Sequence, residues 1–529
     1  MKKLLLELKN NKIIKLVFSL VFSIMIIIDK NIVYNGNIFS KIDELYIINF
    51  KVFDYILIVL LFIIIYILLS LLIMLLDKCN INVDNKKVNK KFYIIVFILL
   101  FLNWLPYVLS YFPFGIYADT EYQIEQAISH HLNNRHPIFN TMIITLFVDI
   151  GKCFDSLKIG LQLYSIFQLL LSLSIITYFI GWLKRRNVPN IYLILTILFY
   201  MFFPLIPLYV VSFWKDTLFS LFLLLYVLNI YDVVLTDGKF ICNFKGIIIH
   251  SLLIFLVAFS RNNGIYIVIV TSIFLIKRYF NIKFFKKIIL FLLVCIVLIQ
   301  IPIFNYLNIN TAFVENLGVP IQQICYVVSS NGKMNTNDKE FIDKLMPIND
   351  IKETYTPALV DSIKFSSGFN EEFLNNNKIE FFKVWFSLLK QNPKKYIEAY
   401  LLNTIGFYDI FKSSDVAYTN TTNWYDVEEK LGIKQDDYIN KFFGKSIRKY
   451  LEPKKHYSSA IFVWLLILSF IICIIKKNNY LQLIPLLVTV ATLFLAVPLA
   501  FSFRYLYILT LALPLLLISP CLTVKRKKY

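Results

Sequence analysis

The chain reads as an all-α polytopic membrane protein with about twelve transmembrane helices, outer interface helices and a mainly helical extracytoplasmic domain. Three observations predict this. Hydrophobic residues fill 58% of the 529 positions and charged residues only 17%, more apolar side chain than one aqueous core can hide. Uninterrupted apolar runs of about twenty residues recur, the length a helix needs to span hydrocarbon, whereas a spanning barrel would alternate apolar and polar positions. The formal charge of +20 is unevenly placed: the long polar stretch 306–455 holds 19 Lys and Arg against 19 Asp and Glu. The excess therefore sits in short clusters between apolar runs, which is the positive-inside pattern and argues against nucleic acid as a partner.

Lys2, Lys3, Lys9, Lys12 and Lys15 accompany the start of the first apolar run, 13–29. That run ends in Asp29-Lys30 without a small-residue cleavage site, so it reads as a retained helix rather than a signal peptide. With the N-terminus cytoplasmic, a second span (54–76) returns to a loop carrying Lys78, Lys86, Lys87, Lys90 and Lys91. A third span (92–112) delivers residues 114–136 outside. The next apolar stretch, 137–150, is too short to cross, and a crossing there would put Lys184, Arg185 and Arg186 outside. It is expected to lie in the outer interface. Spans at 159–182, 190–212, 215–235, 246–260, 265–280 and 287–305 follow, and three final helices end at cytoplasmic Lys525-Arg526-Lys527-Lys528.

This threading gathers 26 Lys and Arg into inside clusters and leaves nine elsewhere beyond the polar stretch. It divides the chain into an N-terminal helix pair with its cytoplasmic loop (1–91), a transmembrane core with its first outer loop at 113–158 (92–305), an extracytoplasmic domain (306–455) and C-terminal transmembrane helices (456–529). Within the outer domain, apolar residues at helical spacing predict helices over 370–390 and 393–407. The seven cysteines are scattered without C-x-x-C spacing, and only Cys325 lies in the polar stretch, so a disulfide-built domain is not expected. Abundant Ile, Lys and Asn fits an AT-rich bacterial genome and hence a bacterial cell membrane. There is no evident internal repeat.

The threading brings polar residues from distant loops to one membrane face. Asp119 and Glu121 follow the Pro113/Gly115 break, His136-Pro137 closes the first outer loop, Lys215-Asp216 opens a span, Arg261-Asn262-Asn263-Gly264 forms a hairpin, and Arg504 starts the last span. Charges near the bilayer are costly, by about 2.5–3.5 kcal/mol at mid-helix, so these are functional candidates. Taken singly, each has an ordinary structural reading. Asp216 can pair with Lys215 at a helix N-terminus, Arg261 and Arg504 can reach headgroups, and His136 can be a helix-entry residue. His130 and His131, beside Asn133 and Asn134, read as solvated and lack metal-ligand spacing.

The run Phe112-Pro113-Phe114-Gly115-Ile116-Tyr117-Ala118-Asp119, followed by Gln123, Gln126 and His136-Pro137, resembles the first outer loop of the C-type glycosyltransferases. That superfamily includes protein mannosyltransferases and the enzyme that adds aminoarabinose to lipid A. Trp214-Lys215-Asp216, Arg261-Asn262-Asn263-Gly264, Pro320-Ile321-Gln322-Gln323, Pro393-Lys394-Lys395-Tyr396-Ile397 and Phe503-Arg504-Tyr505-Leu506 extend the resemblance from about residue 90 to the C-terminus. It implies a catalytic carboxylate in the first outer loop, interface helices after it and a polyprenyl-phosphate sugar as donor. Because Thr120-Glu121 follows Asp119, both carboxylates stand as candidates for the base. The helix pair at 13–29 and 54–76 has no counterpart in the family core.

The expectation is inverting transfer of a hexose or pentose to an extracytoplasmic glycan, lipid or protein. Nucleotide sugars and ATP are lacking outside the cytoplasm, so a lipid must carry the activated sugar, consistent with the lack of a Gly-rich phosphate loop. Asp119 would take the acceptor proton, with His136 orienting it or contacting phosphate. Arg504, then Arg261, with Lys215 as a point charge, would hold the leaving phosphate. Asp216 and Gln123 would support the site. A divalent ion is compatible with this chemistry, but nothing in the sequence demands one. A transporter or flippase of lipid-linked sugars is the alternative, though such proteins often carry pseudo-repeats and midplane charges. An oligosaccharide ligase or polymerase would share the chemistry and differ in its donor.

Overall fold

The computed structural model describes residues 2–32, 50–84, 86–133, 136–306, 313–410, 430–453, 457–496, 499–500 and 502–523. The basic cluster at 525–528 and Asn134 lie outside the described residues, as do the side chains of Lys2, Lys3 and Lys9. The first half of the chain forms α1 (Lys2–Asn31), α2 (Val52–Asp77), α3 (Lys90–Ser110), α4 (Ala118–Ser129), α5 (Ile138–Lys152), α6 (Leu157–Arg185), α7 (Asn190–Phe202), α8 (Leu205–Val210), α9 (Lys215–Leu235), α10 (Phe244–Ser260), α11 (Gly264–Arg278) and α12 (Lys283–Tyr306). The stretch 306–455, for which the label outer domain is kept from its sequence expectation, follows as α13 (Gly318–Ser329), α14 (Thr336–Leu345), α15 (Ile348–Thr354), α16 (Asp361–Lys364), α17 (Glu371–Asn376), α18 (Lys378–Gln391), α19 (Pro393–Asn403), α20 (Tyr438–Phe443) and α21 (Arg448–Leu451). The chain closes with α22 (Ser459–Ile475), α23 (Ile484–Ala496), α24 (Tyr507–Leu511) and α25 (Leu513–Ile518).

This is an all-helical membrane protein. Helices α2, α3, α6 and α9 are long and apolar enough to cross a bilayer, and a fifth span forms if the bent pair Phe503–Leu511 and Leu513–Cys521 is one. Among the described residues, four shorter apolar helices of 10–17 residues accompany them. Helix α2 carries no charge between Asp54 and Asp77 and exposes Ile56, Leu60, Ile63, Ile67 and Leu71 along its length. So continuous an apolar face is stable only against hydrocarbon or another apolar surface. Helix α9 is the opposite case, buried along almost its whole length at the centre of the bundle.

Two predicted spans are broken by proline. The stretch 190–212 splits into α7 and α8 at Phe203-Pro204, and the last span bends by 51° ahead of Pro514. Each proline lacks the N–H that would continue the helical ladder. The first helix is longer than its apolar run, because residues 2–12 continue it as a polar extension. Residues 118–129, read from the sequence as loop, are helical, with Asp119 and Glu121 in the first turn, where carboxylates favour the helix dipole.

The loops sort to two ends. At one, β1 (Ile81–Asn82) pairs in parallel with β2 (Leu522–Thr523), Lys86 N donates to Arg185 O (3.0 Å) and Asn478 Nδ2 donates to Pro520 O (2.7 Å). At the other, Gly115 N donates to Val211 O and Phe213 N to Gly115 O, both at 2.8 Å. There Asp436 N also donates to Phe112 O (2.6 Å), and Tyr400 Oη in the outer domain to Phe494 O (3.1 Å). The outer domain has its own core of Ile321, Val328, Ile342, Tyr355, Phe381 and Leu388, into which Ile28 and Ile32 of the α1 end also pack.

The predicted interface segment 137–150 is α5. It buries Ile138, Ile144 and Val148 and exposes Met142 and Leu146. Its place is fixed by a glycine pair: a Cβ on Gly151 would lie 2.7 Å from Ser156 O and 2.8 Å from Gly160 N. A Cβ on Gly160 would overlap Phe147 O, so α5 and α6 cross in backbone contact. Gly160→Val is expected to force them apart and lower stability by about 1–3 kcal/mol, read as an earlier thermal transition in detergent. An unchanged transition would show that the crossing has slack.

Candidate functional site

The paired segments 115 and 212–213 decide where the first outer loop meets the membrane helices. Locking Gly115 beside Ser212 brings the α4 N-terminus against the start of α9. Tyr117 stacks on Trp214 with centroids 4.2 Å apart, and Thr120 Oγ1 donates to Phe213 O. Asp119 and Lys215, 96 positions apart in sequence, become neighbours, with Lys215 Nζ donating to Asp119 Oδ2 at 3.0 Å.

Arg504 arrives from the opposite end of the chain, in the 3-10 turn Phe503–Leu506 ahead of α24. Its Nη1 donates to the same Oδ2 at 2.9 Å, and Nη2 donates to Tyr505 Oη at 2.7 Å. The guanidinium lies over Trp214 (4.2 Å) and Tyr505 (4.7 Å), so aromatic faces hold its plane. The Lys215 ammonium also reaches His136 Nδ1 at 2.8 Å. An ammonium only donates, so Nδ1 accepts and the neutral imidazole carries its proton on Nε2. The side chains of Asp119, Lys215 and Arg504 are each a quarter exposed or less. Burial would push the Asp119 carboxyl up, but the Arg504 and Lys215 charges outweigh it and hold the group well below the usual carboxylate range.

These residues line a cavity of about 530 Å³. Asp119, His136, Lys215, Arg261 and Arg504 all face it, as do Tyr122 and Tyr505. The outer domain closes the other side, contributing Glu315, Asp361, Lys364 and Phe365.

The remaining candidates fall into supporting positions. Arg261 Nη1 pairs with Asp216 Oδ1 at 3.0 Å, both side chains buried, and its guanidinium packs over Tyr505 at 4.9 Å. The pair is internally neutral and braces the floor under Arg504, so Arg261 is less available for phosphate than its place in the loop suggested. Glu121 turns away from the cavity and pairs with Lys430 of the outer domain at 2.9 Å. Gln123 is fully buried; its Nε2 donates to Thr141 Oγ1 (2.9 Å) and its Oε1 accepts from Asn140 (3.3 Å), fastening α4 to α5. His130 lies apart, beside Lys152 and Asp149. Among the described residues no three His, Cys, Asp or Glu side chains converge as a metal site requires.

Sequence reasoning missed Tyr122, Tyr505 and the outer-domain quartet as site residues. Tyr505 stood inside a motif without a role, and Tyr122 lay between Glu121 and Gln123 without being singled out. Glu315, Asp361 and Lys364 were indistinguishable from the other charges of a balanced polar stretch.

The family described as "Family of unknown function (DUF6020)" matches residues 48–528 of the chain. No curated protein and no solved structure matches it.

Proposed function

From the premise that this chain belongs to the DUF6020 family, a family of unknown function, we propose that it is a membrane glycosyltransferase. It moves a sugar from a polyprenyl-phosphate donor to an extracytoplasmic acceptor, with inversion. About twelve spans, both termini cytoplasmic and the cavity on the outer face complete the proposal, supported by the lysine clusters and the sorting of loops to two ends. The observation that carries it is one ionised carboxylate clamped by an arginine and a lysine in a cavity shared by membrane helices and the outer domain.

Before a donor binds, Lys215 and Arg504 pair with Asp119, which makes it a weak base. A donor phosphate entering the cavity competes for Arg504 and Lys215, and as they turn to it the basicity of Asp119 rises. Asp119 then accepts the proton of the acceptor hydroxyl while that oxygen bonds to the anomeric carbon. The bond from that carbon to phosphate oxygen breaks, and its electron pair leaves on the polyprenyl phosphate. The charge gained there meets the Arg504 fork and the Lys215 ammonium.

The test is transfer in proteoliposomes holding the full chain, radiolabelled polyprenyl-phosphate glucose or mannose, and cell-envelope fractions as acceptor. Label appearing in the envelope fraction with release of polyprenyl phosphate is expected. Label that crosses the bilayer still attached to its lipid would identify a transporter instead.

A pH prediction follows from the competition. Transfer needs ionised Asp119, so rate falls as pH drops through its pKa. kcat/KM reports the empty enzyme, where the cations hold that pKa down, so its Asp119 limb lies below the ordinary carboxylate value of about 4. kcat reports the donor complex, and its acid limb is expected at higher pH. The two profiles, measured from the same assay, would contradict the competition if the kcat limb were the lower one.

A further inference from the structure

Across the cavity from Asp119, the outer-domain wall is built differently from a phosphate site. Lys364 is buried, its side chain 5% exposed, and its ammonium pairs with Glu315 Oε2 at 2.9 Å and Asp361 Oδ1 at 3.1 Å. The two carboxylates are the exposed partners, at 38% and 43%. One lysine thus fixes two carboxylates from behind and leaves this wall with one net negative charge. The facing trio Asp119, Lys215 and Arg504 carries one net positive charge. Phe365 lines the same cavity, 58% exposed and beside the Lys364 ammonium at 5.6 Å.

An occupant of the whole cavity must therefore be two-ended. Its anionic end belongs at Arg504 and Lys215, and a second anion at Glu315 and Asp361 would be repelled. A lipid chain gains nothing from fixed carboxylates, whose desolvation would go uncompensated. What the wall does offer is carboxylate lone pairs that accept charge-assisted hydrogen bonds, next to a flat apolar ring. A sugar ring matches both, with hydroxyls around its rim and an apolar C–H face that packs on an aromatic side chain.

We infer that Glu315, Asp361 and Phe365 form a sugar-binding subsite, with Lys364 as the residue that positions the carboxylates. The inference rests on the transferase reading of the same cavity and adds to it what the outer domain recognises. The ring held there belongs either to the donor sugar or to a glycan acceptor; hydroxyl and C–H contacts are common to both.

The test uses the full chain in nanodiscs and reads binding rather than turnover. One arm compares polyprenyl-phosphate glucose with sugar-free polyprenyl phosphate. The other titrates malto- and chito-oligosaccharides with the sugar-free lipid present. Asp361→Asn and Phe365→Ala are the variants; Lys364 keeps Glu315 in the first, and the second alters a half-exposed ring, so the fold persists in both. If the ring is the donor's, each variant cuts the preference for the sugar-bearing lipid by about tenfold or more, with sugar-free lipid affinity unchanged. If it is the acceptor's, that preference stays and oligosaccharide affinity falls instead. Variants indistinguishable from the parent protein in both arms, or a parent that shows neither binding preference, overturn the subsite. Sugar-free lipid affinity that ignores Arg504→Ala would count against the transferase reading alone, because the oligosaccharide arm still reports on this wall.

Discussion

Asp119→Asn is expected to abolish sugar transfer while tightening the binding of sugar-free polyprenyl phosphate. The two effects have one cause. Asp119 Oδ2 is the shared partner of Lys215 at 3.0 Å and Arg504 at 2.9 Å, so the carboxylate is both the proposed base and the competitor that a phosphate must displace. Asparagine keeps the shape and a carbonyl acceptor but has no negative charge and cannot take a proton. Loss of a positioned general base costs about 10²–10⁴ in rate. Removing a charged hydrogen-bond competitor is worth about 1.5–3 kcal/mol, roughly tenfold or more in lipid affinity. Single-turnover transfer reads the first effect, and titration with sugar-free polyprenyl phosphate reads the second. Normal transfer by the variant would remove Asp119 as base. Inactivity together with weakened lipid binding would point to a damaged site, because two buried cations without their counter-ion would then have disrupted it rather than sought another anion.

How much of this was legible beforehand depended on the scale of the signal. Membrane helices were legible because burial in hydrocarbon acts on every residue of a run, and the α2 sequence between Asp54 and Asp77 is hydrophobic throughout apart from Ser70. The short segment 137–150 was expected as a helix too brief to span, and a helix forms there over Ile138–Lys152. Breaks such as Phe203-Pro204 depended on one residue inside an otherwise continuous apolar run, and the run dominated the reading. The helix α4 was hidden by polarity: its face is amphipathic, but its flanking Pro and Gly residues read as loop.

The site divides in the same way. Sidedness alone brought Asp119, His136, Lys215, Arg261 and Arg504 to one face, and the cavity gathers those five. Which charges would neutralise each other was not legible. Arg261 and Asp216 are 45 positions apart and Glu121 and Lys430 are 309 apart, and nothing in either local sequence marks the partner. Those pairings remove Glu121 and most of Arg261 from the cavity's electrostatics and leave Asp119 as the carboxylate of the first outer loop that faces it. The Glu315–Lys364–Asp361 bridge belongs to the same class, since only the folded outer domain shows that its lysine is behind and its carboxylates in front.

Arg504→Ala is expected to raise the donor dissociation constant by about 10²-fold, at the upper end of what one charged hydrogen-bond partner contributes. Arg504→Lys should restore little of it. The guanidinium is held in plane between Trp214 and Tyr505 while one nitrogen reaches Asp119 and another reaches Tyr505 Oη. A lysine ammonium is a point charge without the fork and cannot fill that slot while presenting two parallel donors to a phosphate. The same loss has a second consequence that separates it from simple damage. Arg504 is the largest favourable charge acting on ionised Asp119, so without it the carboxyl titrates at higher pH in the empty site. The acid limb of kcat/KM should therefore move upward in Arg504→Ala even as affinity falls. Donor titration and the pH profile of one variant test both statements. Unchanged donor affinity would remove Arg504 from the phosphate site, whereas weakened affinity with an unmoved acid limb would leave Arg504 on the phosphate but uncouple it from the base.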